Sequence, residues 1–386
     1  MIPIKTKKIL LIGNGDSIYI KYFIQYVLLC NNFKICLFTD KLSSKQNQRF
    51  YTENHVEIVE RKRTIPLIKH IPLLRAMEDI VQNKKNLKEY GSADLIHVHY
   101  ASRLNIFLLP FFKKSGTRTI VTYWGSDLLR RGKRYVKSLR PFLAYADIIT
   151  FNSMELIALF NQMFRNKFAG KIVNVKFGIS MFEYINENED QESIRDAKEK
   201  IHLPQDKIIV VCGHTRAKEH RQLEVLKQIQ TMDQSLLQGL CIVFPMTYGS
   251  ADEKYEQELE ALSKKLPCPV HFYREYMSEE DIARLRRVTD IFIHAQKTDA
   301  FSATLQEFLY AGSLVLNGSW LKYPDLRTAG IEYFEFDDIR DIPAKLQTVI
   351  LQFEALKNAM KANRKKIHQL SAWETVADEW LKLYKH

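Results

Sequence analysis

Short runs of consecutive apolar residues recur along the chain, separated by longer stretches in which apolar residues return at helical spacing. In the first half the runs are KILLIG (8–13), KICLFT (34–39), LIHVHY (95–100), RTIVTYW (118–124), DIITFN (147–152) and KIVNVKFG (171–178). In the second half they are KIIVVCG (207–213), LCIVFPM (240–246), PVHFYR (269–274), DIFIHA (290–295), SLVLNG (313–318) and IEYFEF (331–336). Strands apolar on both faces, alternating with helices, predict buried parallel sheets covered on both sides. Two consecutive sets predict an α/β chain of two Rossmann-like, doubly wound domains. Ligands in such sheets bind beyond the carboxyl ends of the strands, so the expected site is a cleft between the two sets of strand ends.

The polar segments set the boundaries. YINENEDQESIRDAKEKIHLPQDK (184–207) is the most polar stretch and carries no core pattern. It reads as a linker or short surface helix. The expected division is an N-terminal domain over 1–182, a linker over 183–206 and a C-terminal domain over 207–366. A last helix over 367–386, with the apolar spacing of SAWETVADEWLKLY (371–384), is expected to pack back on the first domain.

Composition narrows the classes. With 386 residues, 46% of them hydrophobic, the chain holds enough apolar material for two ordinary cores. Its longest apolar runs, such as IFLLPFF (106–112), fall far short of a membrane span. The start reads as a first strand rather than a secretory leader. The cysteines Cys30, Cys36, Cys212, Cys241 and Cys268 form no CxxC pair, and most sit in apolar runs, as expected of buried thiols in a reducing cytoplasm. Charge is uneven. Residues 1–180 hold 30 Lys and Arg against 12 Asp and Glu, and the remainder 27 against 33. A basic first half points to an anionic partner.

Candidate chemistry concentrates in TDAFSATLQEFLYAG (298–312), which follows a strand. Ser302 suits an N-cap, ATLQEFLYA a helix, and Gly312 its end. The amides of Ala303, Thr304 and Leu305 then lie free at a helix start, a place for a phosphate or diphosphate. Glu307, one turn further in, can accept from the two hydroxyls of a ribose. Asp299, on the loop before the helix, can hold another hydroxylated group. A solvated helix glutamate and an ordinary loop aspartate are the plain alternatives.

This stretch resembles the E-x7-E region of the retaining glycosyltransferases of family 4, which have the GT-B fold. Their pattern aligns without a gap, with Asp299 at the first acid, Phe301 at the Phe, Ser302 at the second Gly, Glu307 at the second acid and Gly312 at the last Gly. Asp for Glu, Ala300 for Gly and Ser302 for Gly are the departures. ILLIGNGDS resembles the family's first strand and Gly-rich turn, so the resemblance implies that Gly13 and Gly15 admit the donor diphosphate; an ordinary tight turn also fits GxG. ADLIHVHYA and TIVTYWGSDLLRR resemble the strands lining the acceptor side. That places His99 and Trp124 there, Trp124 standing where the family usually has His. His97 and His99 also fit core-facing strand positions. VVCGHTRAKEHRQLEVL (210–226) departs from the family's G-R-x-x-x-x-K, with His214 and Glu219 in register. Arg216 and Lys218 are the cations expected to meet the donor diphosphate. IVFPMTYGS with WGSD resembles, more loosely, the transferases of 4-acetamido-4,6-dideoxygalactose.

The resemblance implies transfer of a sugar from a nucleoside diphosphate sugar to a hydroxyl of a glycan or lipid-linked acceptor in cell-surface polysaccharide synthesis, with retention, no cofactor and no metal. Asp299 and Asp127 are the candidate catalytic acids, Asp127 as a base suiting an inverting variant. The basic amphipathic stretches RKRTIPLIKHIPLLRAMEDIV (61–81) and LLRRGKRYVKSLRPFLAYAD (128–147) suit an anionic membrane surface, and a peripheral place on the inner face of the plasma membrane follows. No helix-turn-helix, zinc or RNP-like signature points to nucleic acid. A non-catalytic sugar-nucleotide-binding protein, a sugar-nucleotide epimerase of the same fold and a DNA-modifying glucosyltransferase are the rival readings.

Overall fold

The computed structural model describes residues 6–40, 42–61, 72–115 and 117–385. Contacts divide the chain into two compact units, Met1–Gly178 with Val376–His386, and Ile179–Thr375.

The first unit is built on a seven-stranded sheet in the order β3-β2-β1-β4-β5-β6-β7. Its strands are β1 (Lys7–Ile12), β2 (Phe33–Thr39), β3 (Glu57–Glu60), β4 (Leu95–His99), β5 (Arg118–Tyr123), β6 (Ile148–Phe151) and β7 (Ile172–Asn174). Every pairing is parallel. The order reverses between β1 and β4, which makes the crevice outside their carboxyl ends the switch point. Ile9, Leu10, Leu11, Ile96, Ile120, Val121 and Ile149 are fully buried, as continuous apolar strands require of a sheet covered on both faces. The edge strand β3 escapes the apolar pattern because Glu57 and Glu60 bracket only Ile58 and Val59.

The helix Trp373–Lys385 ends in this unit. Trp380 and Tyr384 are fully buried there. The Trp380 indole donates to the Lys176 carbonyl at 2.8 Å and meets the Phe23 ring edge-on at 5.0 Å. The Tyr384 hydroxyl is hydrogen-bonded to Nδ1 of His97.

The second unit carries a six-stranded parallel sheet in the order β10-β9-β8-β11-β12-β13. Its strands are β8 (Ile208–Cys212), β9 (Leu240–Pro245), β10 (Val270–Tyr273), β11 (Ile291–His294), β12 (Leu314–Gly318) and β13 (Phe334–Phe336). Successive side chains go to opposite faces. Ile209, Val211, Val243 and Phe292 enter one core, and Val210, Cys212, Ile242, Ile291 and Ile293 the other. Here the switch point lies between β8 and β11.

Where the sequence reads as a linker, the structure has two helices, Met181–Gln191 and Ile194–Lys200. Phe182, Ile185, Ala197, Ile201 and Leu203 are buried in the core of the second unit. The apolar pairs at 182/185 and 197/201 have helical spacing. Flanking charge hides it, and the ends of that charge are met locally. Ser193 and Asp196 form a capping box, and Glu192 takes Arg284 at 2.8 Å.

The basic stretch 128–147 forms short helices, Lys133–Ser138 and Arg140–Tyr145 among them. Arg130, Arg131, Lys133, Arg134, Lys137 and Arg140 are exposed. The interleaved Leu128, Val136, Leu139, Phe142 and Leu143 are buried in the unit. Of the other basic stretch, 61–81, residues 62–71 lie outside the described residues. Among the described residues no helix is long and apolar enough to cross a membrane.

Candidate functional site

At the switch point of the first unit, β1 runs into Gly13 and β4 ends in His99. A Cβ at Gly13 would stand 3.2 Å from Ile20 and 3.4 Å from the His99 Cβ, so any side chain there would press on Ile20 and β4. At Gly15 a Cβ would come within 2.5 Å of Leu42. Both glycine amides are engaged within the unit, Gly13 with the Phe38 carbonyl at 3.1 Å and Gly15 with the Thr39 hydroxyl at 2.7 Å. The Gly15 carbonyl accepts from Tyr51 at 2.9 Å and Asn47 at 3.0 Å. The GxG turn is therefore locked by packing, and its two amides do not face outward as a phosphate cradle.

His97 and His99 differ sharply although they share one strand face. His97 Nε2 is 2.6 Å from the Thr122 hydroxyl, and Nδ1 bonds Tyr384, so this ring is a satisfied core residue. His99 is 3% exposed and neither ring nitrogen has a hydrogen-bond partner. Its neighbours are rings: His97 at 3.9 Å, Phe23 at 5.1 Å and Trp124 at 5.6 Å. Burial pushes its imidazole down to about 3. Trp124 stacks on Phe177 at 4.0 Å. Asp127 is buried and turns its carboxylate back on the chain, accepting from the amides of Gly125 at 2.9 Å and Trp124 at 3.1 Å. Burial raises its carboxyl to about 6 in spite of those bonds. This aspartate holds the turn that aims Trp124.

In the second unit the switch point gathers more chemistry. β8 passes through Gly213, at φ +68, into His214. A Cβ there would sit 3.1 Å from that of His220. The Lys297 amide donates to the Glu219 carbonyl at 2.9 Å, clasping the loops that leave β8 and β11. The rings of His214 and His220 meet edge to face at 4.2 Å, and His214 and His294 are 6.3 Å apart. His294, the last residue of β11, is fully buried with neither ring nitrogen in a hydrogen bond of ordinary length. Its Nε2 lies 3.7 Å from Asp299 Oδ2. Burial lowers its imidazole to about 3 and that of His214 well below the usual range.

Asp299 is fixed by the Tyr323 hydroxyl at 3.0 Å and by the Ala300 amide at 2.7 Å. Burial raises its carboxyl. Ser302 caps the helix Ala303–Tyr310, its hydroxyl accepting from the Leu305 amide at 3.1 Å. Gly312 follows the helix at φ +90, the left-handed turn expected of it. The amides of Ala303 and Thr304 have no acceptor among the described residues. Glu307 is not solvated: Arg286 Nε donates to it at 2.9 Å, and the pair is nearly buried. The guanidinium also lies over the Phe308 ring at 4.3 Å.

The two expected cations are engaged elsewhere. Arg216 forks onto Glu256 at 3.1 and 3.3 Å, and Lys218 pairs with Asp252 at 3.1 Å. Both acids belong to the start of the helix Glu253–Ser263. Sequence reasoning missed His294, Tyr323 and Arg286. The available signal was a histidine closing an otherwise apolar strand, DIFIH (290–294).

Residues 8–155 match the family described as glycosyl transferase 4-like. No curated protein sequence matches the chain. Among solved structures, a glycosyltransferase from Rickettsia africae is similar with a TM-score of 0.77 at 14% identity, over 99% of this chain and 98% of that one. A sucrose-phosphate synthase from Thermosynechococcus elongatus gives 0.73 at 15% identity, over 98% of both chains. Anabaena HepE, in complex with UDP and glucose, gives 0.69 at 12% identity, over 98% of this chain and 99% of that one. At these identities the likeness is one of fold. It agrees with the two doubly wound sheets, the architecture of the GT-B glycosyltransferases.

Proposed function

From the premise that residues 8–155 match the glycosyl transferase 4-like family and that the whole chain shares its fold with glycosyltransferases, we propose that this protein transfers a sugar from a nucleoside diphosphate sugar to an acceptor hydroxyl. One observation carries the donor site: the capped helix Ala303–Tyr310 presents two unanswered amides at the carboxyl end of β11, flanked by Asp299 and Glu307. Amides at a helix start favour an anion, here the diphosphate. Glu307 then takes the ribose hydroxyls with its orientation held by Arg286. Asp299 takes a hydroxyl of the transferred sugar, held by Tyr323. HepE was solved with UDP, glucose and UDP-glucose, so a UDP-sugar is the first donor to try.

The reaction follows from that placement. The bond from the sugar's anomeric carbon to the diphosphate breaks as the bond to the acceptor oxygen forms on the same face. The acceptor's proton passes to the departing phosphate oxygen, and helix amides steady the charge that develops there. No divalent metal and no protein nucleophile is required. The acceptor side belongs to the first unit, at His99 and Trp124, with Asp127 holding the Trp124 turn. The exposed cations over 130–140 suit an anionic lipid surface, so a glycan or lipid-linked acceptor of cell-surface polysaccharide synthesis, met at the cytoplasmic face of the membrane, is the reading we adopt.

The test is a thermal-shift panel of UDP-, GDP-, dTDP-, ADP- and CMP-sugars, since a ligand that binds only the folded state raises the midpoint. One nucleotide family should raise it, and Glu307→Ala should abolish the shift. Glu307→Gln, which keeps an acceptor for Arg286, separates loss of ribose contact from loss of fold. A donor-induced shift unchanged in Glu307→Ala overturns the assignment.

A further inference from the structure

A diphosphate at the start of the helix Ala303–Tyr310 brings several negative charges to a place where three of the cations on the surrounding elements are already paired with acids. Arg216 is held by Glu256, Lys218 by Asp252 and Arg286 by Glu307. Asp299 adds a carboxylate of its own to the same wall. Beside the helix amides stand the Lys297 side chain, exposed on the loop after β11, and three imidazoles. His214 follows β8, His220 closes the loop beyond it and His294 ends β11, so the three meet at the switch point. Among the described residues no group of His, Cys, Asp and Glu is arranged to hold a metal ion. Nδ1 of His214 and both nitrogens of the fully buried His294 make no hydrogen bond of ordinary length among the described residues.

Resting on the donor-site reading above, we infer that His214, His220 and His294 are this chain's phosphate grip, and that donor enters the pocket together with about one proton taken from solvent onto that cluster. The neighbouring Arg216 turns away to Glu256, which leaves His214 beside the switch point without a guanidinium in its place.

In the free protein His214 and His294 are neutral near pH 7, because burial disfavours the imidazolium. The groups that face them act in both directions. His220, His294 and the Arg286 guanidinium lower His214 further. Asn317, from β12, favours a protonated His294. Asp299 stands 3.7 Å from His294, is itself held largely by Tyr323, and interacts with His220. Glu307 is neutralised by Arg286, and Tyr248, on the loop after β9, faces that pair. A phosphate oxygen set among the rings favours the protonated form. The proton affinity of the cluster is then higher with donor bound than without it. Binding takes up a proton, and affinity falls as pH rises.

The experiment is isothermal titration calorimetry of the full chain with the nucleotide sugar selected by the panel above. It is run in two buffers of different ionisation heat, from about pH 6.5 to about pH 8.5, where imidazole is the group expected to exchange protons and the donor's diphosphate has none to exchange. The expected result is a buffer-dependent heat equivalent to about one proton taken up at the lower end, with Kd rising by up to about tenfold per pH unit. His214→Gln and His294→Asn should each weaken binding and reduce the uptake. Should His294→Asn fail to fold, the native heats decide alone. Tight binding with no buffer-dependent heat and a flat Kd overturns the histidine grip and leaves the donor site standing. No panel donor bound at any pH sinks the donor site and the grip with it.

Discussion

His99 is a polar side chain surrounded by rings that offer it nothing. An unanswered buried polar group costs about 1–3 kcal/mol, so its presence at the carboxyl end of β4 is a debit to stability. His99→Phe, which keeps a ring among Phe23, Trp124 and Phe177, is expected to raise stability by about 1 kcal/mol in urea denaturation. Sugar transfer should fall in the same variant, because the ring edge beside Gly13 is proposed to face the acceptor. A loss of stability would mean that the imidazole is answered by something the neighbouring rings do not supply. His97, on the same strand face, behaves oppositely: with both nitrogens bonded it is a structural residue, and its removal should cost stability.

At the scale of elements, the helix Ala303–Tyr310 depends on its cap. Ser302→Ala removes the acceptor for the Leu305 amide and is expected to cost about 1 kcal/mol, read as a lower unfolding midpoint. The donor-induced thermal shift should shrink too, since the same turn presents the amides of Ala303 and Thr304. Cap and helix end were legible in the sequence because Ser302 and Gly312 act through neighbours a few residues away. Most strands were legible for a related reason: each is a short apolar run that reports its own burial. β3 was not, because an edge strand needs only Ile58 and Val59 to face the sheet and leaves Glu57 and Glu60 at its ends. The helices over 181–200 were hidden by charge around a sparse apolar face. The histidine cluster could not be read at all, since it exists only because β8 and β11, far apart in sequence, lie side by side. The engagement of Arg216 and Lys218 was equally invisible, since Glu256 and Asp252 approach from a later helix.

For the whole molecule, the buried histidines set the response to acid. His97, His99, His214 and His294 have imidazoles pushed below their ordinary range, so in the folded state they stay neutral while the unfolded chain protonates near its usual value. The unfolded state then binds more protons, and stability falls as pH drops below about 6.5, by about 1.4 kcal/mol per unit for each such ring. Asp127 and Asp299, raised by burial, act in the opposite sense: the folded state holds their protons at higher pH, so they favour folding as pH falls toward their unfolded range. The depressed rings outnumber the two raised carboxyls, which leaves a net loss between about pH 6.5 and about pH 5. Urea midpoints at those two values should show it, and equal midpoints would contradict the burial of the rings. Saturating donor should flatten the slope, through His294.

The helix Trp373–Lys385 matters at the same scale. Trp380 and Tyr384 are buried in the first unit, against Phe23, Lys176 and His97. Removing residues 376–385 should unfold that unit before the second, with loss of more than the roughly 3–5 kcal/mol that one large buried aromatic contributes. Circular dichroism melts of the truncated chain would show a separate early transition.

That wedge of aromatic residues also orders events on the ribosome. A domain made first would ordinarily fold first. Here the earliest-made half must wait, with the niche beside Phe23 vacant, until residues 376–385 have been synthesised. The second unit has no such wait, since its own strands and helices emerge earlier than the segment its predecessor lacks. Birth order and completion order are therefore reversed, and a chaperone arriving during translation would find its client in the amino-terminal half.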